Sequence, residues 1–183
     1  MSQLAKSTQY LVISLVGADH IGATTTLTAL CLKAGANITD SRMTKMGSEY
    51  TITALISGNW GSLAKVEAGI PNLSKENNFE YLLRRTEFAL TDENVIQYTV
   101  QITTIDKPGI VHSLAKFFRD QEIHIDEITT ETYIASRTNT TMFRLSMIVD
   151  IPEGLSIMHL REQFLTYCEN KNLDAILIEP QKY

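Results

Sequence analysis

The sequence predicts an α+β protein that is built from two copies of one βαββαβ domain, and three observations support this prediction. First, the segments 10–22 and 97–109 both read as a strand that ends in an Asp-x-x-Gly turn. Second, apolar positions recur in the same register behind both turns, so that Leu27 aligns with Leu114. Third, a short polar stretch at 86–94 separates the two copies. A repeat that continues through helix and strand indicates an internal duplication.

The second copy shows the pattern most clearly. Its strands alternate apolar and polar residues, its helices carry apolar residues at helical spacing, and the polar segment 135–140 reads as a hairpin loop. The predicted elements are, in order, a strand at 98–103, a helix at 110–118, a strand from 123, a strand at 143–149, a helix at 157–168 and a strand at 175–178.

The first copy repeats this order. Pro71 falls inside its second helix, where a proline is expected to kink or restart the helix. With the boundary inside 86–94, we expect one domain at 1–90 and another at 91–183. The predicted elements of the first are a strand at 10–16, a helix at about 21–35, strands at 37–45 and 50–56, a helix at 63–73 and a strand at 79–83.

The order βαββαβ with right-handed crossovers gives the ferredoxin-like fold, a four-stranded antiparallel sheet with two helices on one face. The other face of each sheet is left bare. Val12 and Val16 point to that face in the first copy, so part of it is expected to be covered. Packing between sheets, including formation of a homo-oligomer, is one way to cover it.

Composition excludes several classes of protein. The chain of 183 residues is 44% hydrophobic and 20% charged, and it shows neither a secretory signal nor a membrane-length apolar run, so we expect a cytoplasmic protein. Its net charge is -5, and Arg84–Arg85 is the only adjacent basic pair, so direct nucleic-acid binding is not expected. Cys31 and Cys168 fall on apolar helix faces and are expected to pack as small hydrophobes.

An enzyme of the acylphosphatase kind needs an arginine in the first strand–helix loop to hold phosphate. The loops at 17–22 and 104–109 contain none, and each carries an aspartate that would repel an anion. No nucleophile–base grouping and no metal-ligand spacing appears elsewhere in the sequence. We therefore expect no catalytic residues, no metal site and no cofactor.

An RNA-binding module of this fold needs exposed aromatic residues on its third strand. Tyr50 and Phe143, the aromatic residues of the two third strands, fall in the buried phase of the alternation. RNA binding is therefore not expected either.

A third class, a ligand-sensing module, agrees with the residues. The segment Asp-Lys-Pro-Gly-Ile at 106–110 closes a strand and opens a helix, and Lys-Ala-Gly-Ala-Asn-Ile at 33–38 joins a helix to the next strand. Both segments resemble the signature of ACT domains, and the resemblance covers nearly the whole chain. It implies a non-enzymatic regulator that binds a small amino acid, with glycine expected. It also implies repression of genes for glycine cleavage through a DNA-binding activator protein. The alternative is a stand-alone regulator of another amino-acid or nitrogen-pathway enzyme.

The resemblance also implies where the ligand lies. Glycine in the first loop lets the backbone approach closely, helix N–H groups receive a carboxylate, and an oxygen at the start of the second strand accepts from the ammonium. The implied ligand-binding residues are Asp19, His20, Ile21, Gly22, Ala23 and Asn37 in the first copy, and Asp106, Lys107, Pro108, Gly109, Ile110 and His124 in the second.

Simpler roles remain open for several of these residues. Asp19 and Asp106 are placed to cap the helices that follow them, and Asn37 could simply close a helix-to-strand connection. His124 stands where the first copy has Asn37, so the two sites need not be equivalent. Trp60 is expected to pack a loop against the second helix.

Overall fold

The computed structural model describes residues 8–88 and 94–173 together with the backbone of residues 176–180. These residues fall into two compact units, one on each side of residues 89–93. Each unit has the element order βαββαβ. Among the described helices, none has the length and apolar character that a membrane crossing requires.

The elements are numbered in chain order. The first unit contains β1 (Gln9–Ala18), α1 (Ala23–Ala34), β2 (Asn37–Met46), β3 (Glu49–Gly58), α2 (Trp60–Asn77) and β4 (Phe79–Thr86). The second unit contains β5 (Val95–Ile105), α3 (Ile110–Asp120), β6 (His124–Ala135), β7 (Thr140–Pro152), α4 (Ile157–Asn170) and β8 (Ile176–Pro180).

Both sheets have the same topology. The strand order is β2-β3-β1-β4 in the first unit and β6-β7-β5-β8 in the second, and every neighbouring pair is antiparallel. The first and third strands of each unit lie side by side in the middle, which is the arrangement of a ferredoxin-like fold. The predicted fold class is confirmed.

Each unit has its own core between the sheet and its two helices. In the first unit, alternate residues of β1 are completely buried, and they pack against residues of α1 and α2 such as Leu27 and Val66. The residues between them face the other side of the sheet, where Val16 is 44% exposed. The buried residues of β1 are Leu11, Ile13 and Leu15.

The second core is richer in aromatic residues. Phe118 of α3 and Phe164 of α4 are fully buried, and their ring centroids lie 5.4 Å apart. Phe143 of β7 is also buried in this core, as the alternation in its strand predicted. The two helices of this unit are therefore joined to one face of the sheet by a continuous apolar cluster.

Two predictions for the second helix of the first unit, a restart at Pro71 and the packing role of Trp60, are wrong. α2 runs without interruption from Trp60 to Asn77, although Pro71 lies inside it. A proline removes one helical hydrogen bond, and the buried side chains around it, such as Ile70 and Leu73, keep the helix in place against the sheet. Trp60 does not pack a loop against this helix. It is the first residue of α2, and it is 69% exposed.

The second strand of each unit contains a β-bulge at the same place. The register of β2 shifts between Ile38 and Asp40, and that of β6 shifts between Ile125 and Glu127. One extra residue on each strand is therefore left without a partner in the ladder. This extra residue is Thr39 in the first unit and Asp126 in the second.

Candidate functional site

The loops that join the first strand to the first helix make corresponding backbone contacts in both units. We call residues 19–22 the first loop and residues 106–109 the second loop. The backbone N–H of Asp19 donates to the carbonyl of Ser48 at 3.2 Å, and that of Asp106 donates to the carbonyl of Thr141 at 3.1 Å. Each loop is thus fixed to the hairpin beside it.

Each loop ends in a glycine with left-handed backbone. Gly22 has φ of +100° and Gly109 has φ of +88°, and a side chain at either position would meet open space. Their carbonyls accept from the backbone N–H of Thr26 at 3.0 Å and of Ser113 at 2.9 Å, which starts the helix. Glycine is required here by the backbone and not by crowding, because other residues rarely adopt this conformation.

The aspartates of the two loops do not cap the helices, so that alternative is wrong. The capping positions of α1 and α3 are Gly22 and Gly109, and neither helix has a side-chain cap. The carboxylate of Asp19 instead lies 2.9 Å from Nζ of Lys45 on β2. Each aspartate lies three residues before the capping position of its helix, because the turn occupies the residues between the aspartate and the helix.

The helix starts differ between the two helices of each unit. The helices that do not follow these loops are capped, α2 by Asn59, which accepts from the N–H of Ser62 at 2.9 Å, and α4 by Ser156. α1 and α3 have neither a side-chain cap nor an acidic residue in the first turn. The N–H groups of Thr24 and Thr25 in α1, and those of the first turn of α3, are therefore available to an anion such as a carboxylate.

His20 turns toward the core of the first unit. Its ring centroid lies 5.6 Å from that of Phe79, and its Nδ1 lies 3.2 Å from the carbonyl oxygen of Ile21. That contact requires a proton on Nδ1, and in the neutral imidazole Nε2 is then an acceptor. Nε2 is buried and has no hydrogen-bond partner among the described residues. The first loop thus pairs an acceptor nitrogen with a helix start that offers donors.

The remaining loop residues differ between the units. Ile21 is fully exposed, whereas Ala23 is buried and its N–H donates to the carbonyl of His20 at 3.3 Å. In the second loop Lys107 and Pro108 are exposed, and Ile110 is buried at the start of α3. A lysine can only donate hydrogen bonds, so the second loop lacks the acceptor that His20 gives the first.

Asn37 does not lie near the first loop within its unit. It pairs with Ser57 on β3, and Ser57 pairs with Tyr10 at the beginning of β1, whereas the loop follows the other end of β1. Seven residues separate Tyr10 from Gly17, which is about 23 Å of extended strand. His124 is displaced from the second loop in the same way, because it pairs with Asp150. The predicted residues therefore form two groups per unit, one at each end of the sheet.

One contact at the first loop was not predicted from the sequence. The hydroxyl of Thr24, in the first turn of α1, lies 3.0 Å from the hydroxyl of Tyr50. Tyr50 is directly opposite Gly17, the residue two before Asp19. The pairing register brings these groups together, and a single strand pattern does not reveal that register.

The two thiols are not placed for chemistry. Cys31 and Cys168 are 2% and 0% exposed, as expected for cysteines on apolar helix faces. Burial raises the pKa of the Cys31 thiol, and it raises the pKa of Cys168 to about 12. Both thiols are therefore protonated at neutral pH and act as packing groups.

Residues 9–82 match the model of the ACT domain family. This match lies within the first unit, and the second unit repeats the topology of the first.

Among known proteins, the chain is similar to the glycine cleavage system transcriptional repressors of Escherichia coli (strain K12) and Shigella flexneri. It is 25% identical to each over 166 residues, which cover 91% of this chain and 87% of each relative. A crystal structure of a candidate repressor of the same name has a TM-score of 0.71 and 26% identity, covering 95% of this chain and 99% of that one. An uncharacterised protein from Galdieria sulphuraria, at 23% identity and covering 96% of this chain and 100% of that one, has a TM-score of 0.75 and supports the fold alone. The family match and the relatives support a regulatory role.

Proposed function

We propose that the protein is a transcriptional repressor of the glycine cleavage system that senses glycine and acts through a DNA-binding activator protein. The observation that carries this proposal is the similarity to repressors of that system along 91% of the chain. The paired loops support the sensing part, because each places a glycine turn before an uncapped helix start.

We place the stronger glycine site at the first loop. The carboxylate of the ligand accepts from the N–H groups at the start of α1, where the helix dipole favours negative charge. The ammonium group donates to Nε2 of His20 once the imidazole ring turns this buried nitrogen toward the ligand, and the bond gives the nitrogen the partner that it lacks among the described residues. The salt bridge to Lys45 neutralises Asp19, which would otherwise repel the carboxylate. Asn37 lies too far away to contact the same small molecule within one unit.

Calorimetric titration with glycine tests this site. Thr24→Pro removes an N–H in the first turn of α1, where a helix tolerates proline because that group has no helical partner. The matched control Thr24→Ala also loses the contact with Tyr50 but keeps the N–H. We expect Thr24→Pro to weaken binding about 10- to 150-fold relative to Thr24→Ala, which is the value of a hydrogen bond to a charged group.

Three further variants separate the two loops and the two ends of the sheet. His20→Ala is expected to weaken glycine binding more than Lys107→Ala, and Asn37→Ala is expected to leave the first-loop site unchanged. Equal affinity of Thr24→Pro and Thr24→Ala for glycine would contradict binding of the ligand carboxylate at the start of α1. A strong loss in Asn37→Ala alone would move the site to the other end of the sheet. A panel of the other amino acids in the same titration tests whether glycine is the preferred ligand.

The partner is tested by co-purification with the DNA-binding activator of the glycine cleavage genes, with and without glycine. The net charge is -5, and in the adjacent basic pair Arg84–Arg85 the guanidinium of Arg85 is bound to Glu67, which supports an indirect role. If glycine prefers one state of this protein, it must change the affinity for the activator by the same factor. Tight, sequence-specific DNA binding by the protein alone would contradict this mechanism.

A further inference from the structure

Three metal-ligating side chains meet in the second unit, at the end of the sheet opposite the second loop. His124 begins β6, Asp126 is the extra residue of its bulge, and Asp150 lies directly opposite His124 on β7. One ligand atom from each of the three lies within 4.8 Å of the other two. His124 and Asp126 are exposed and Asp150 is half-buried, so the group can be reached from solvent.

We infer that His124, Asp126 and Asp150 bind a divalent first-row transition cation, such as Zn²⁺ or Mn²⁺. One imidazole nitrogen and two carboxylate oxygens form a donor set that suits these ions, whereas Mg²⁺ and Ca²⁺ prefer oxygen ligands only. Ligand atoms around a tetrahedral zinc ion lie about 3.4 Å apart at bonds of about 2.1 Å. Small rotations of the two exposed side chains, His124 and Asp126, close the remaining gap.

The surroundings of the cluster support binding. Two neighbouring carboxylates repel one another, and a cation between them replaces this repulsion by attraction. Asp150 is also held in place, because Nε2 of Gln97 donates to its Oδ1 at 3.0 Å. Such an outer hydrogen bond orients a ligating carboxylate and leaves its second oxygen for the ion.

The first unit offers a comparison within the same chain. The corresponding positions are Asn37, Thr39 and Ser57, where Thr39 Oγ1 donates to Ser57 Oγ at 2.8 Å. The bulge therefore brings these three positions together in both units. The first unit fills them with neutral side chains and the second with a histidine and two carboxylates. The fold supplies the position, and only the second unit supplies the ligands.

Titration of the tag-free protein with ZnCl₂ and with MnCl₂, followed by calorimetry, tests the site. A histidine tag must be absent because it binds the same ions. We expect one saturable site per chain for at least one of the two ions. His124→Ala, Asp126→Asn and Asp150→Asn are each expected to weaken binding at least ten-fold. His159→Ala removes another exposed histidine, on α4, and is expected to leave binding unchanged.

A transfer experiment tests whether the three side chains suffice. The combined variant Asn37→His, Thr39→Asp and Ser57→Asp is expected to raise the stoichiometry from one ion to two. Circular dichroism shows whether each variant is folded. Absence of saturable binding by the parent chain, retention of binding in a folded His124→Ala variant, or a folded triple variant that gains no ion would overturn the inference. So would displacement of the bound ion by an equal concentration of Mg²⁺ or Ca²⁺. The site does not depend on glycine binding at the loops, so the two proposals fail separately.

Discussion

Gly22 and Gly109 occupy the same left-handed position in the two units, at the point where each loop enters its helix. A left-handed conformation costs an L-residue about 1–2 kcal/mol, and glycine avoids this cost because it has no Cβ. Both positions face open space, so the whole effect of a substitution comes from the backbone. This makes them a clean test of conformational strain.

Gly22→Ala and Gly109→Ala are each expected to lower the free energy of unfolding by about 1–2 kcal/mol. Gly154→Ala is the matched control, because a side chain there also meets open space but the residue has no left-handed backbone. Urea unfolding followed by circular dichroism measures all three. An equal loss of unfolding free energy in Gly154→Ala would show that the left-handed backbone is not the cause.

At the scale of single residues, the sequence predicted the turn glycines correctly but not the roles of their neighbours. The Asp-x-x-Gly pattern identifies the turn, since only the final residue needs left-handed backbone. It does not show that Asp19 pairs with Lys45 or that His20 turns inward onto Phe79. Both contacts are made with residues far away in the sequence, and only the folded chain brings them together. The sequence did not show the cluster of His124, Asp126 and Asp150 for the same reason, because Asp150 reaches His124 across a strand pair.

Among the secondary-structure elements, α2 keeps a proline in its interior without ending. Pro71 cannot donate a hydrogen bond to the carbonyl of Glu67, four residues earlier, and a proline inside a helix costs about 3 kcal/mol relative to alanine. Burial of Leu63, Val66 and Ile70 on one side of the helix offsets this cost. The sequence rule that a proline ends a helix fails here because tertiary packing is stronger.

Pro71→Ala is therefore expected to raise the free energy of unfolding by about 2 kcal/mol, because the gain in the helix exceeds the added freedom of the unfolded chain. Pro71 is exposed, so the substitution leaves no cavity. Asn72→Ala, at the exposed neighbouring position, corrects for helix propensity and should contribute no more than about 0.5 kcal/mol. A destabilised Pro71→Ala variant would show that the proline is needed for the packing of α2.

A salt bridge joins α2 to β4. Arg85 donates to Glu67 through Nε at 2.6 Å and through Nη2 at 2.7 Å, and both side chains are about one-third exposed. The hydrogen bonds from Arg85 hold the pKa of Glu67 below its ordinary value of 4.5. Because this pKa is lowered in the folded state, the stabilisation is present above pH 4.5 and is lost as the pH falls through the lowered value.

A double-mutant cycle with Glu67→Gln and Arg85→Gln measures the coupling energy of this salt bridge. We expect a coupling energy of about 0.5–1 kcal/mol at neutral pH, because solvent screens a partly exposed pair. The coupling should decline in acid below pH 4.5 as Glu67 takes up a proton. Urea unfolding of the parent chain, the two single variants and the double variant, at neutral pH and below pH 4.5, provides the measurement. A coupling that is unchanged in acid would contradict an ionic origin.

The sequence predicted the order of the elements well and their ends less well. The spacing of apolar residues shows which face of an element is buried, and it differs between strands and helices. It alternates in β7, whereas apolar positions such as Leu114 follow helical spacing, so the element type could be predicted. The ends depend on backbone geometry. Helix α1 begins at Ala23, about two residues later than predicted, because Gly22 must first complete the turn.

At the scale of the whole molecule, each unit buries its own core. The buried residues of the first unit, which include Leu27, form one cluster, and those of the second, which include Leu114, form another. A domain of about 90 residues with a continuous core can be stable alone. We therefore propose that residues 1–90 and 91–183 are independent folding units, with the boundary between Leu90 and Thr91.

Expression of residues 1–90 and of residues 91–183 as separate fragments tests this boundary. Each fragment is expected to unfold in one cooperative urea transition, since each contains a complete sheet and both of the helices that cover it. Leu27→Ala in the first fragment and Leu114→Ala in the second should each cost about 2–5 kcal/mol, because both leucines are completely buried. Leu32→Ala, on the exposed side of α1, should cost less than about 1 kcal/mol. Circular dichroism follows both fragments, and Trp60 adds a fluorescence signal in the first alone. A fragment that shows no cooperative transition, or that is insensitive to its buried leucine, would mean that its core is complete only in the full chain.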